Sequence, residues 1–167
     1  MKTLILTRHA KSGWDDLTLS DHERKLNERG REGATTIGAW LNEQGHHPQQ
    51  MIASDAARCV ETWDRIAAKL PAVEKSSFHH RLYLAAPLTL YEALKQASSD
   101  TVIMLGHNPG IGEFASELLT TTPNHPKFMQ YPSAATTIIT FDINNWTTPF
   151  MGKGTAIDFI VPRDSTE

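Results

Sequence analysis

Cysteine is almost absent: Cys59 stands alone in 167 residues. No internal disulfide can form, so nothing favours the oxidised, secreted class of small domains. A basic excess is also missing, the net charge being -3. That argues against a nucleic-acid partner, which would call for a basic face. It leaves room for a local basic pocket in an acidic protein. Long apolar runs are missing too. Leu4-Ile5-Leu6 is the longest before Arg8, too short for a signal-peptide core or a membrane span. A cytoplasmic location without a membrane partner is the resulting expectation. No repeat, low-complexity block or dividing linker occurs. One domain over 1–167 is therefore expected, acting as a monomer.

What is present is ordinary for a folded domain: 40% hydrophobic and 21% charged residues. Thr3 to Thr7 reads as a strand. From Asn27 to Gly45 the pattern turns helical, with Ala34, Ile37, Gly38 and Leu41 on one face. Asn27 is the expected N-cap and Gly45 the expected C-cap. Met51-Ile52-Ala53 reads as a strand, followed by a helix from about Asp55 to Leu70. A third helix starts at Pro87, with Leu88, Tyr91 and Leu94 inward. Thr101 to Leu105 is a buried-strand signal. A further helix opens at Gly110, with Ile111, Phe114 and Leu118 on one side. Thr136 to Phe141 and Ala156 to Val161 read as strands with no helix between them. This alternation predicts an α/β fold: a three-layer α/β/α sandwich whose central sheet is mostly parallel, with at least one antiparallel strand.

Chemistry collects at strand ends. The first strand runs into Arg8-His9, the second is followed within one turn by Arg58, and the strand over 101–105 runs into Gly106-His107-Asn108-Pro109-Gly110. Ligands of parallel α/β sheets bind beyond the carboxyl ends of the strands. Two guanidiniums and two imidazoles should meet there. Arginine offers a planar fork that stays charged, and helix N-termini offer free N–H groups. A phosphoryl group suits that set. One imidazole can attack phosphorus covalently while the second steadies charge. Singly, each residue reads as an ordinary surface or structural one; the joint placement favours function.

At these residues the chain resembles the histidine phosphatase superfamily, also called phosphoglycerate mutase-like. Leu6-Thr7-Arg8-His9-Ala10-Lys11-Ser12 resembles its Arg-His-Gly signature, with alanine in the glycine place. Ser54 to Thr62 resembles the segment of its second arginine, and Gly106 to Gly110 that of its second histidine. The short length, Arg24-Lys25-Leu26-Asn27-Glu28-Arg29-Gly30 and Arg81-Leu82-Tyr83 resemble the SixA-type phosphohistidine phosphatase branch. The resemblance implies that His9 is phosphorylated in turnover and that Arg8, Arg58 and His107 complete a phosphate pocket. It implies no metal and no cofactor. The substrate would be a phosphorylated protein or a small phosphorylated molecule. Ser12 is a further phosphate ligand or, equally, a loop-stabilising hydroxyl.

Departures from the family pattern matter. Mutase-type relatives place asparagine after the tryptophan of the first loop; here Asp15 follows Trp14, and its carboxylate would repel phosphate. Relatives that cleave esters carry an acid for the departing oxygen, and His79 to Ala86 contains no carboxylate. Asp21 and Glu113 are read as solvated surface residues, although either could swing over the site.

Other readings stay weaker. Cys59 to Arg65 has the Cys-x5-Arg spacing of protein tyrosine phosphatases. It lacks glycine, carries Glu61 and Asp64, and lies in a predicted helix, so a buried structural thiol is expected. Gly152-Lys153-Gly154 reads as a hairpin turn. His46-His47 and His79-His80 have no Cys or Asp at ligand spacing and read as exposed loop residues. The tryptophans read as packing. An aryl or small-molecule phosphomonoesterase of the same family remains open, as does a non-catalytic phosphoprotein-binding module. The module would need the arginines but has no use for a nucleophilic His9.

Overall fold

The computed structural model describes residues 1–163. The elements run β1 (Lys2–Arg8), α1 (Glu28–Glu43), β2 (Gln50–Ser54), α2 (Ala57–Ala67), β3 (Lys75–His79), a 3-10 turn (His80–Leu82), α3 (Pro87–Leu94), β4 (Thr101–Gly106), α4 (Gly110–Leu118), β5 (Thr136–Phe141) and β6 (Thr155–Ile160). They form one six-stranded sheet in the order β3-β2-β4-β1-β5-β6. The first four strands are parallel, and β5 runs antiparallel to both β1 and β6.

The continuous apolar runs of β1 and β4 follow from burial on both faces. Leu4, Leu6, Val102 and Met104 pack with Leu90 and Leu94 of α3 and Phe114 and Leu118 of α4. Ile5, Ile103 and Leu105 face the other way, onto Ile37 and Leu41 of α1 and Trp63 and Ile66 of α2. The result is the expected three-layer α/β/α sandwich.

Local expectations divide. Asn27 caps α1, its side chain accepting from the Gly30 N–H at 2.8 Å, and Gly45 follows that helix at φ 76°. The helix expected over 55–70 covers Ala57–Ala67; beyond it, Lys69 and Leu70 donate to the Ile66 and Ala67 carbonyls in tighter turns. In α3 the inward residues are Leu90, Ala93 and Leu94, whereas Leu88 is exposed. Strand β3 carries no strand signal in the sequence: Lys75-Ser76-Ser77-Phe78-His79 lies at the sheet edge and needs no apolar alternation. Trp14 is exposed rather than packed, with the Arg24 guanidinium 3.6 Å from its ring centroid.

Strands β2, β4 and β1 are neighbours, and their registers align Arg8 with Gly106 and Ala53 with Leu105. The three carboxyl ends are thus level. Two glycines draw helices close to them. A Cβ on Gly30 would overlap the Lys11 carbonyl, and one on Gly110 the Ala85 carbonyl.

Candidate active site

Arg8 ends β1, His9 follows it, Arg58 lies in the first turn of α2, and His107 follows β4. All four line one cleft of about 470 Å³, with Ser12, Asp21, Arg24 and Asn108. Each of the four strand-end residues is therefore where the strand order places it.

His9 is held at both ends of its backbone. Its N–H donates to the Gly106 carbonyl at 3.0 Å, and its carbonyl accepts from the Ala134 N–H at 3.1 Å. Its Nδ1 lies 2.6 Å from the Ala10 carbonyl. A carbonyl only accepts, so Nδ1 carries the hydrogen and Nε2 carries the lone pair. Burial pushes the His9 pKa down to about 3; the Ala10 hydrogen bond opposes this, and His107, Arg8 and Arg58 add to it. The ring is therefore neutral at neutral pH. The next residue is tied to α2: the Ala10 N–H donates to Thr62 Oγ1 at 2.9 Å, and the Thr62 hydroxyl donates to the Arg58 carbonyl at 2.6 Å.

His107 takes the same tautomer as His9 when Ser54 donates to it. Ser54 Oγ accepts from the Ala56 N–H at 3.1 Å and lies 2.8 Å from His107 Nε2. A Ser54 hydroxyl that donates to Nε2 leaves the hydrogen on Nδ1. Burial, then Arg58, pushes the His107 pKa down to about 3. The His9 and His107 ring centroids are 5.3 Å apart. Cys59 is fully buried behind them, its thiol pushed up to about 12, chiefly by burial. A thiol held that far above neutrality is no nucleophile.

The arginines are anchored by carbonyls and a carboxylate. Arg8 Nη1 donates to the Tyr131 carbonyl at 3.3 Å, which also accepts from Asn108 Nδ2 at 2.9 Å. Tyr131 reaches this position at a left-handed φ of 45°. Arg58 Nη1 donates to the Asp21 carbonyl at 2.7 Å, and Nη2 to the Asp21 carboxylate at 3.1 Å. The same carboxylate accepts from Arg24 Nε at 3.1 Å and from the Tyr83 hydroxyl. Tyr83 foremost, with Arg58 and Arg24 against the effect of burial, pushes the Asp21 pKa down to about 2.

Three donors are left over. Arg8 Nε, Arg58 Nε and His107 Nδ1 are buried with no hydrogen-bond partner among the described residues. An unpaired buried donor costs about 1–3 kcal/mol, more when charged. An anion with several acceptor oxygens would satisfy all three at once.

The remaining sequence expectations are sorted by this geometry. Ser12 lines the cleft, and its hydroxyl oxygen accepts from Arg24 Nη1 at 2.9 Å. Asp15 and Glu113 are exposed and do not line the cleft. Asp21 corrects the reading of a solvated loop residue, since it touches Arg58, Arg24 and Tyr83. Tyr83 and Ser54, which lie in the family-like segments with no role assigned by the sequence, each touch a pocket residue or its partner. Among the described residues, no helix is long and apolar enough to cross a membrane.

Residues 4–83 match the model of the histidine phosphatase superfamily (branch 1). An uncharacterised chloroplastic protein of Arabidopsis thaliana is 34% identical over 128 residues, 70% of this chain; the chain spans only 59% of that relative's length. An uncharacterised protein of Mycobacterium leprae is 32% identical over 117 residues, covering 66% of this chain and 70% of its own. The structure of the protein histidine phosphatase SixA complexed with tungstate superposes with a TM-score of 0.76 and 19% identity, over 97% of this chain and 98% of that one. At that identity the likeness is one of fold.

Proposed function

The chain belongs to the histidine phosphatase superfamily, and from that premise we propose that it is a metal-independent phosphatase whose substrate is phosphohistidine in a protein. His9 is the nucleophile in this reading. Arg8, Arg58 and His107 hold the phosphoryl group. The observation that carries it is the set of three buried N–H donors without a partner among the described residues, gathered beside an imidazole whose Nε2 lone pair is free. A binding module would need the donors, but not a histidine held in its nucleophilic tautomer.

The chemistry runs in two steps. His9 Nε2 attacks phosphorus and forms a P–N bond. The bond from phosphorus to the substrate's imidazole nitrogen breaks, and a proton taken from solvent on that ring's other nitrogen lets it leave as neutral imidazole. Water then attacks the phosphorus of phospho-His9, giving inorganic phosphate and returning the lone pair to Nε2. Through both steps the guanidiniums and the His107 Nδ1–H neutralise charge on the equatorial oxygens. The fold-mate's tungstate is a tetrahedral oxyanion of the shape such a pocket takes, which supports a phosphoryl group as the ligand. A protein substrate fits the rim, where Trp14 and Leu84 stand exposed beside the cleft. The reading extends to one histidine phosphatase domain over 1–167, monomeric and cytoplasmic.

The test is p-nitrophenyl phosphate hydrolysis in EDTA, with rapid-quench trapping of labelled phosphate. An acid-labile, base-stable label on His9 is expected, with activity lost in His9→Ala. Label on Cys59, or full activity in His9→Ala, would overturn the proposal. Activity abolished by EDTA would overturn its metal independence.

A further inference from the structure

Beside the cleft, three segments far apart in sequence converge on one carboxylate. His22 lies in the loop between β1 and α1, Asp55 between β2 and α2, and His80 opens the 3-10 turn. His22 Nε2 is 2.7 Å from Asp55 Oδ1, and His80 Nδ1 is 3.1 Å from Asp55 Oδ2. One ligand atom from each of the three lies within 4.8 Å of the others. The two imidazole centroids are 5.3 Å apart.

We propose that His22, Asp55 and His80 form a binding site for a divalent d-block cation of the zinc type, separate from the phosphoryl-transfer site. Two imidazoles and one carboxylate suit Zn²⁺, Co²⁺ or Ni²⁺; Ca²⁺ and Mg²⁺ demand more oxygen ligands. Tetrahedral bonds of about 2.0–2.2 Å set donor atoms about 3.4 Å apart, so the Asp55 contacts of 2.7 and 3.1 Å must lengthen modestly while the ligand atoms, now within 4.8 Å of one another, draw in around the ion. The moving part is available, because the His80 side chain is 76% exposed. Asp55 needs only one imidazole to be paired; the second makes the set a three-ligand site with a position open to water.

The ion would fasten segments that serve the cleft. The His22 carbonyl accepts from the Ala57 N–H at 3.0 Å, at the start of the helix that carries Arg58. Tyr83 packs edge-on against His22 at 4.8 Å between centroids. His22 follows Asp21 directly. A cation here therefore clamps the Asp21 loop, the start of α2 and the Tyr83 turn to one another.

The inference stands independently of the phosphatase reading, and its test measures binding rather than turnover. The metal-free full chain is titrated with Co²⁺ by visible absorption and with Zn²⁺ by calorimetry. Saturable binding of one ion per chain is expected, with a Co²⁺ d–d band and a raised melting temperature. His80→Ala and Asp55→Asn should each weaken binding roughly tenfold or more, by loss of a direct ligand. His47→Ala should leave it intact. Because His80 is exposed, His80→Ala should melt like the parent without metal, which separates ligand loss from misfolding. Absence of saturable binding, or affinity unchanged in His80→Ala, would overturn the site. So would binding that is lost in His47→Ala and kept in His80→Ala.

Discussion

Asp21 grips the end of Arg58 twice, its carbonyl accepting from Nη1 at 2.7 Å and its carboxylate from Nη2 at 3.1 Å. The grip orients the guanidinium so that Nε is left buried, without a hydrogen-bond partner among the described residues. It also sets a negative charge beside the place proposed for the phosphoryl group.

Asp21→Asn should separate those two effects. The main-chain acceptor stays, and the side-chain oxygen can still accept, so Arg58 keeps its orientation. One negative charge goes. The side chain is 41% exposed, so solvent screening limits the gain to about 2–5-fold tighter inhibition by inorganic phosphate. Weaker inhibition would mean that the carboxylate's hold on Arg58 outweighs its repulsion.

Arg58→Lys tests the fork itself. Lysine is charged, but it supplies no Nε–H at the buried position and cannot accept the two-point hold of Asp21 in the same way. Loss of one preorganised donor commonly costs about 10²–10³ in rate. Turnover of p-nitrophenyl phosphate should fall by that order, and near-normal turnover would show that Arg58 serves only as a charge.

Stability should fall with acid in a window set by two histidines. His9 and His107 are each pushed down to about 3, burial being the first cause in both. In the unfolded chain an imidazole titrates near about 6.5. Between these values the unfolded state binds protons that the folded state refuses, so stability is highest above pH 6.5 and declines toward pH 3. Each ring contributes a slope of up to about 1.4 kcal/mol per pH unit. His46, also lowered by burial, acts in the same direction. The Asp21 carboxyl, pushed down to about 2, matters only as pH falls from its ordinary 3.8 toward that value. Urea unfolding at pH 7 and pH 5 should show a smaller loss in His107→Gln than in the parent. Equal losses would remove His107 from the balance.

The strand ends were legible because central strands must be apolar throughout. The switch from Leu6 to Arg8-His9, or from Leu105 to His107, therefore marks where the sheet stops and the cleft begins. Edge position hid β3, whose Ser76 and Ser77 need no buried face. Asp21 was hidden for another reason. In Ser20-Asp21-His22-Glu23-Arg24 a carboxylate looks like any solvated loop residue, and its partners Arg58 and Tyr83 lie 37 and 62 positions away. The same distance hid the His80 cluster. Ligand spacing along the chain found no Asp near His79-His80, whereas the fold brings Asp55 to it from 25 positions away.

Leaving-group selectivity is the sharpest consequence of the Asp21 geometry. Phosphoryl transfer is mainly positioning and electrostatics, but an alkoxide still needs a proton as it departs, and a general acid supplies about 10²–10⁴ in rate. Among the described residues, Asp21 is the one carboxylate lining the cleft. The Tyr83 hydroxyl and the Arg58 and Arg24 guanidiniums hold it ionised, with its pKa at about 2. It is therefore an acceptor at neutral pH and has no proton to give. Tyr83 is pushed upward, by burial and then by Asp21, and its hydrogen is already committed to that carboxylate. Phosphohistidine escapes the need, because its ring's other nitrogen takes a proton from solvent and the imidazole then leaves neutral, and an aryl phosphate escapes it in part, because a phenolate tolerates its charge. The expected order of kcat/KM at one neutral pH is phosphohistidine and p-nitrophenyl phosphate well above phosphoserine and sugar phosphates, by about the 10²–10⁴ a missing acid withholds. Asp21→Asn should leave that order in place, since no proton is being drawn from residue 21. Comparable rates for alkyl and aryl esters, with the alkyl rate collapsing in Asp21→Asn, would make Asp21 the acid and remove the chief mechanistic reason for a phosphohistidine substrate.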